Sequence, residues 1–164
     1  IEQMLSFLIF ADGCSASIVS SKPEGIELQR FHSAVMPNSG DQITWSIGGS
    51  GFDMNLSGKV PGTISAGLPS CLPKILDGGN AGQFRHWAVH PGGRTILDAV
   101  REGAELPEEL LQSSRRVLRD YGNMSSSTIM FVLKDIMQRG KGRGCGMAFG
   151  PGLTVDSMTF EQAA

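Results

Sequence analysis

The sequence predicts an α/β layered fold in which a mixed β-sheet is flanked by helices. Two observations lead to this prediction. From residue 60 onward, segments with apolar residues at helical spacing alternate with short strand-like runs. The chain then closes on two strand-like segments joined by Gly150-Pro151-Gly152. Strands interleaved with helices in this way are typical of layered α/β domains.

Composition narrows the class of protein. The chain has 164 residues, enough for one domain with a hydrophobic core or for part of a larger one. A net charge of −2 gives no general attraction to nucleic acid. No apolar run approaches the ~20 residues that a membrane span requires. The three cysteines lack pair spacing, which favours a reduced, cytoplasmic protein and leaves no metal site. Because Ile1 leads straight into an apolar stretch without an initiator methionine, we expect a fragment.

The first third of the chain is predicted to supply mainly strands. The last predicted strand, Gln42–Leu56, is interrupted by Gly48-Gly49-Ser50-Gly51, which predicts a bend or a bulge there. The predicted strands are Leu5–Phe10, Ser15–Val19, Ile26–Val35 and Gln42–Leu56.

The rest of the chain is predicted to be mainly helical before the closing strand pair. Pro61 suits a first helical turn, whereas Pro69 and Pro73 are expected to kink or break the first helix. The predicted helices are Val60–Leu76, Arg94–Arg101, Leu106–Asp120 and Asn123–Met137, and the predicted strands are Phe84–Val89, Cys145–Phe149 and Leu153–Phe160.

Two loops carry side chains capable of chemistry. The strand ending at Val89 delivers His90 into the turn Pro91-Gly92-Gly93, whose backbone N–H groups are exposed to a ligand. The segment 121–126 places Asn123 on a glycine turn just before another helix. A neutral imidazole and a primary amide both supply the N–H donors that an oxyanion site needs. We therefore take His90 and Asn123 as candidate catalytic residues, and Gly92 and Gly93 as candidate substrate contacts.

Structural alternatives remain open for each residue. A lone histidine is more often a satisfied core residue, and Asn123 would also serve as a helix N-cap. His86 and His32 are interpreted as structural. The basic loop 140–144 superficially resembles a phosphate loop but lacks its Gly-Lys-Ser/Thr ending, which favours a solvated loop. No nucleophile is evident, since Cys14 is predicted to lie in a tight turn between two strands.

Five motifs, taken in order, resemble the C-terminal portion of the type III polyketide synthases, the chalcone and stilbene synthase family of the thiolase superfamily. They are Phe10–Ala16, Val60–Ser65, Trp87–Gly93, Tyr121–Ser126 and Phe149–Val155.

The resemblance implies a thiolase-like fold. Residues 1–36 would form the last strands of the N-terminal half, and residues 37–164 would form the C-terminal half. It also implies an acyltransferase that condenses malonyl-CoA units onto an acyl-CoA starter by decarboxylative Claisen condensation. Coenzyme A thioesters would be substrates and no further cofactor is implied. The N-terminal half of the same protein and a second copy in a homodimer would be its protein partners.

The resemblance also assigns residue roles. His90 and Asn123 match two members of a Cys-His-Asn triad whose cysteine is absent from this chain, so the isolated chain is expected to be inactive. Phe52 matches a phenylalanine that gates the elongation cavity, and Ser125 and Pro151 match positions lining it. Two alternatives stay open: a non-catalytic folding or dimerisation unit, and a ketoacyl synthase of the third type. The latter usually follows its histidine with Gln-Ala-Asn rather than Pro-Gly-Gly.

Overall fold

The computed structural model describes residues 8–163, which form a four-stranded mixed sheet, a separate hairpin and four helices that pack on the sheet. Short 3₁₀ segments at Ala81–Gln83, Glu108–Leu111 and Ser125–Ser127 link these elements. The strands are β1 (Ile26–Val35), β2 (Ile43–Gly48), β3 (Gly51–Leu56), β4 (His86–Val89), β5 (Gly142–Gly150) and β6 (Thr154–Gln162), and the helices are α1 (Val60–Ile75), α2 (Arg94–Gly103), α3 (Gln112–Tyr121) and α4 (Thr128–Ile136).

The main sheet has the strand order β1-β6-β5-β4. Strands β5 and β6 form the predicted antiparallel pair around residues 150–154, and β1 lies antiparallel to β6 on its other side. Strand β4 runs parallel to β5, with His86 opposite Gly144 and Val89 opposite Met147. All four residues of β4 are buried, so the strand that precedes His90 is held rigidly. The predicted mixed sheet flanked by helices is confirmed.

The expected break in the first helix is wrong, because α1 continues through Pro69 and Pro73. Proline has no backbone N–H, so Pro69 cannot donate to the carbonyl of Ser65 four residues earlier. Gly103 of α2 packs closely against this part of α1, and a Cβ there would lie 2.9 Å from the Ser65 carbonyl oxygen. The buried face of α1, which includes Ile64 and Leu68, anchors the helix in the core and compensates for the lost hydrogen bonds.

The prediction of a bend or bulge within residues 42–56 is also wrong. Strands β2 and β3 form an antiparallel hairpin in which Gly48 lies opposite Gly51. Gly49 and Ser50 therefore make a two-residue turn, and Gly51 has a φ of +151°, which side chains rarely allow. The glycine cluster reverses the chain rather than bending one strand.

The N-terminal segment contains fewer strands than predicted. Residues 5–7 of the run Leu5–Phe10 lie outside the described residues, while Leu8 and Ile9 are helical and Phe10 forms a single bridge with Asn123. Ser15–Val19 is not a strand, and residues 11–20 are exposed without regular structure. Within the described chain these residues have no neighbouring strand to pair with. The assignment of residues 1–36 to a preceding half stays a prediction.

The later elements agree with the sequence apart from their ends. Helix α2 begins at the predicted residue and extends to Gly103, and the predicted helix from Leu106 begins as a 3₁₀ turn before α3. The predicted helix from Asn123 begins only at Thr128, because residues 125–127 form a 3₁₀ turn. Across residues 8–163 the structure contains no helix with the length and apolar character of a membrane span.

Candidate active site

His90 leaves the sheet at the carboxyl end of β4. Its backbone N–H donates to the Met147 carbonyl oxygen at 2.7 Å, which extends the parallel pairing of β4 and β5 by one residue. The Gly92 N–H then donates to the His90 carbonyl oxygen at 3.0 Å, and α2 begins two residues later. The strand, turn and helix predicted around His90 are therefore present.

Burial lowers the pKa of His90 below its ordinary value of 6.5, so the imidazole is neutral at pH 7. Within residues 8–163, no other group forms a hydrogen bond with the ring. A neutral imidazole carries one N–H donor and one acceptor nitrogen. Both remain free to engage a substrate.

Asn123 is buried, and its amide is fixed by two hydrogen bonds. Its Oδ1 accepts from the Ser125 backbone N–H at 2.9 Å, and its Nδ2 donates to the Gly92 carbonyl oxygen at 3.3 Å. The first bond supports the left-handed backbone of Ser125, whose φ of +56° is uncommon for serine. The second bond ties the Asn123 loop to the His90 turn, so the two loops lie side by side although 33 residues separate them in sequence. One amide hydrogen of Asn123 is left to donate elsewhere.

The segment 9–13 packs against the Asn123 loop and is hydrogen-bonded to it. The Asn123 N–H donates to the Ile9 carbonyl oxygen at 3.0 Å, and the Asn123 carbonyl oxygen accepts from Ala11 at 2.9 Å. Gly13 lies against Met124, where a Cβ would come within 2.3 Å of the sulfur. The predicted turn between two strands around Cys14 is therefore wrong. The glycine is needed because this segment packs on the loop that presents Asn123.

Two buried hydroxyl groups that the sequence analysis missed hold these loops. Ser114 on α3 accepts a hydrogen bond from the Val89 N–H at 3.1 Å, and Thr128 on α4 accepts one from the Met124 N–H at 2.8 Å. Thr128 lies on the buried face of α4 together with Val132. A polar residue on the apolar face of a predicted helix is visible in the sequence, so this pattern could have identified Thr128. No local pattern marks Ser114, because its partner lies 25 residues away.

Three of the other predicted site residues, Phe52, Ser125 and Pro151, lie at the surface of the described chain. Phe52 is 69% exposed on the β2–β3 hairpin, where its ring meets Trp45 edge to face with 6.2 Å between centroids. Ser125 is exposed beside Asn123, and Pro151 is exposed in the turn between β5 and β6. Gly93 is buried, yet a Cβ built on it would meet no heavy atom within 4 Å, so open space adjoins the His90 turn. The roles predicted for these residues stay predictions.

The lowered pKa of His90 predicts a loss of stability in mild acid. The unfolded chain, with its ordinary histidine pKa of 6.5, binds a proton more readily than the folded one. The free energy of unfolding should therefore fall as the pH drops through 6.5 towards the lower folded-state pKa. Urea unfolding at pH 7.5 and pH 5.5 measures this difference. His90→Gln should reduce it without abolishing it, since burial also lowers the pKa of His86. An unchanged difference in His90→Gln would contradict the prediction.

Comparison with known proteins identifies the family. Residues 27–163 match the family model of the chalcone and stilbene synthases, C-terminal domain. Bisdemethoxycurcumin synthase from Oryza sativa subsp. japonica is 35% identical over 170 aligned residues, which cover 92% of this chain and 42% of that protein.

Structural comparison agrees with the sequence match. The crystal structure of PKS-I from the brown alga Ectocarpus siliculosus superposes with a TM-score of 0.86 at 29% identity, covering 98% of this chain and 47% of that one. This match confirms the predicted thiolase-like α/β fold. The chain spans less than half the length of these two relatives. It belongs to the chalcone and stilbene synthase family of type III polyketide synthases, and it corresponds to the C-terminal portion of such an enzyme.

Proposed function

We propose that the full-length protein condenses malonyl-CoA units onto an acyl-CoA starter by decarboxylative Claisen condensation. In this proposal the chain described here supplies the donors that stabilise the enolate oxygen. The observation that carries the proposal is the hydrogen bond between Asn123 and the Gly92 carbonyl oxygen, because it holds one amide donor beside the turn of a neutral histidine.

The chemistry follows from these donors. When the thioester oxygen of malonyl-CoA faces His90 and Asn123, loss of carbon dioxide leaves the electron pair of the broken bond as an enolate. The imidazole N–H and the free amide hydrogen then stabilise the negative charge on that oxygen, and fixed donors in a site shielded from water do this best. The enolate carbon attacks the acyl group held as a thioester on a cysteine. A carbon–carbon bond forms and the cysteine leaves as a thiolate.

None of the three cysteines here fits the role of that nucleophile. Burial raises the pKa of the Cys145 thiol to about 12, so it stays protonated at neutral pH. Cys14 is exposed on the segment before β1, and Cys71 lies partly buried on α1. We therefore place the nucleophile in the preceding half of the protein, and we expect the 164-residue chain alone to be inactive.

Exposed apolar side chains support the proposed protein partners. Strand β1 forms one edge of the main sheet as described, and Phe31 and Val35 on it are 68% and 64% exposed. Ile18 and Val19 are almost fully exposed. Patches of this kind mark contact surfaces. We propose that the preceding half of the protein covers part of this surface and that a second copy covers another part.

Sedimentation of the isolated chain over a range of concentrations tests the proposed covering of this surface. We expect self-association that increases with concentration, because the uncovered apolar surface favours contact between copies. Phe31→Ser should weaken the association, whereas Ser33→Thr, an exposed change on the same strand that keeps the hydroxyl group bonded to Asp156, should leave it unchanged. A strictly monomeric chain at every concentration would count against the proposed interface.

The activity itself is tested with the full-length protein and malonyl-CoA, together with a panel of acyl-CoA starters. We expect carbon dioxide release and products that are longer than the starter by whole malonyl-derived units, as identified by mass spectrometry. A folded protein that releases no carbon dioxide from malonyl-CoA and extends none of the starters would disprove the proposal. Extension only from malonyl groups on a carrier protein would instead support a ketoacyl synthase of the third type.

A further inference from the structure

The strand that precedes His90 has a second hydrogen-bonding side, which faces away from β5. Successive N–H groups of a strand point to opposite sides. The His90 N–H donates to the Met147 carbonyl oxygen on β5, so the Val89 N–H points the other way. It donates to Oγ of Ser114, a fully buried residue of α3, at 3.1 Å. No strand of the described chain adjoins this side of β4, so a side chain provides the acceptor that a strand would otherwise supply.

The next residue of α3 holds the other side of the His90 turn. The Nη2 of Arg115 donates to Oδ1 of Asp98 on α2 at 2.6 Å, and the Arg115 side chain is only 25% exposed. Hydrogen bonds between charged groups are stronger than those between neutral ones. Helix α2 begins directly after Pro91-Gly92-Gly93. Two consecutive residues of α3 therefore hold the strand before the turn and the helix after it.

The opposite end of α3 leads into Asn123. The helix rises by about 10 Å between Ser114 and Tyr121. Gly122 follows with a φ of +73°, in the region that favours glycine. A Cβ on Gly122 would lie 3.0 Å from Cβ of Ala11, so the end of the helix packs closely against the segment 9–13. The position of Asn123 is therefore fixed relative to the first turn of α3.

Two hydrogen bonds close a ring of chain through both loops. One joins Val89 to Ser114 near the start of α3, and the other joins Nδ2 of Asn123 to the Gly92 carbonyl oxygen at 3.3 Å. His90 lies between Val89 and Gly92 in this ring. Because a helix is a rigid element, α3 sets the separation between the two hydrogen bonds. Loss of either bond would allow the turn and the Asn123 loop to move relative to each other.

We propose that Ser114 is a positioning residue for the oxyanion site, and that it keeps the His90 imidazole at a fixed separation from the Asn123 amide. It acts through the Val89 N–H, without contact to the substrate. This role rests on the proposed condensation, in which both donors bind the same enolate oxygen. Two donors stabilise one oxygen only when both lie within hydrogen-bonding distance of it. A shift at the end of β4 therefore weakens the stabilisation of the enolate.

Ser114→Ala in the full-length protein tests the proposal through the release of carbon dioxide from malonyl-CoA. We expect kcat to fall about tenfold or more, because displacement of a reacting group by about 1 Å can cost about 10²-fold. The KM for malonyl-CoA should stay unchanged, as it does when an interaction matters only in the transition state. Ser114→Cys fills nearly the same space with a weaker acceptor, and should give a smaller fall in the same direction.

Ser113→Ala is the matched control, because Ser113 is also a buried serine of α3. Its hydroxyl group is hydrogen-bonded to the Asp135 carboxylate and not to β4. Both alanine variants therefore lose a buried hydroxyl group from the same helix, and a loss of stability alone would affect them alike. We expect Ser113→Ala to keep the kcat of the wild type at a temperature where both variants are folded.

Hydrogen–deuterium exchange of the same full-length proteins gives a measurement that needs no activity. The backbone amides of residues 88–93 should exchange faster in Ser114→Ala than in the wild type, and at the wild-type rate in Ser113→Ala. Equal exchange in Ser114→Ala and the wild type would overturn the positioning role. A wild type that neither decarboxylates malonyl-CoA nor extends a starter would instead disprove the proposed condensation.

A double-mutant cycle with His90 separates positioning from a general loss of structure. In a His90→Ala background, Ser114→Ala should reduce the remaining rate by a much smaller factor than in the wild type, because the group that it positions is gone. The proposal would be overturned by a wild-type kcat in Ser114→Ala, by the same factor in both backgrounds, or by an equal fall in Ser113→Ala. Each of these results requires an active wild type and so leaves the proposed condensation intact.

Discussion

Asn123→Ala in the full-length enzyme is expected to slow malonyl-CoA decarboxylation by about 10²–10³-fold, the usual effect of removing one oxyanion donor. The Asn123 amide is held by Ser125 on one side and by Gly92 on the other, so its free hydrogen points in a fixed direction. Such a donor needs no reorganisation when charge develops on the substrate oxygen. Release of carbon dioxide from malonyl-CoA measures this step directly.

The rate of cysteine acylation distinguishes the proposed catalytic role of Asn123 from a purely structural role. Asn123→Ala should affect acylation by the starter far less than decarboxylation, because His90 still activates the thiol. His90→Ala should impair both steps. Intact-protein mass spectrometry after mixing with the starter measures the acylation rate. A normal decarboxylation rate in Asn123→Ala would show that the amide is only a cap for the following turn.

A control variant is needed because Asn123 also supports its own loop. Asn123→Ala removes the acceptor of the Ser125 N–H, and one intramolecular hydrogen bond contributes about 0.5–1.5 kcal/mol, so some loss of stability is expected. Ser126→Ala, an exposed change in the same loop, should keep both the rate and the stability of the wild type. Rates are compared at a temperature where all three proteins are folded.

Gly144→Ala is expected to cause the largest loss of stability among single alanine substitutions of the sheet glycines. A Cβ on Gly144 would lie 2.1 Å from Cζ of Phe160, which is fully buried on the adjacent strand β6. The ring cannot move without displacing its neighbours, among them Ile136 and Ala88. Overpacking of this kind costs about 1–3 kcal/mol, and occasionally more. The urea-unfolding midpoint measures the effect.

Gly62→Ala is the matched control for this substitution. Gly62 is exposed in the first turn of α1, and a Cβ there would meet no heavy atom within 4 Å. Because alanine favours helix more than glycine does, this variant should be as stable as the wild type or more stable, by up to about 1 kcal/mol. Equal midpoints for Gly144→Ala and the wild type would show that Phe160 can repack without cost.

Local features of the sequence were sufficient to predict much of the fold. Alternation and helical spacing depend only on neighbouring residues, and they predicted β4, α2 and the β5–β6 pair. The Pro-Gly-Gly turn after His90 was also predicted correctly, because these residues restrict the backbone wherever they occur. Helix ends were less well predicted, since the start of α4 depends on the buried Thr128 hydroxyl and its contact with Met124.

Such local patterns could not predict contacts between residues that are far apart in the sequence. Helix α1 continues through two prolines because its apolar face is buried in the core, and Ser15–Val19 forms no strand because the described chain offers it no partner. The residue types in the His90 and Asn123 loops were sufficient to predict that these loops supply donors for an oxyanion. Their placement side by side depends on β4, Ser114 and the hydrogen bond to Gly92, which join segments 25 and 31 residues apart. Only the folded chain brings those groups together, because hydrogen bonds over such separations form when the core packs.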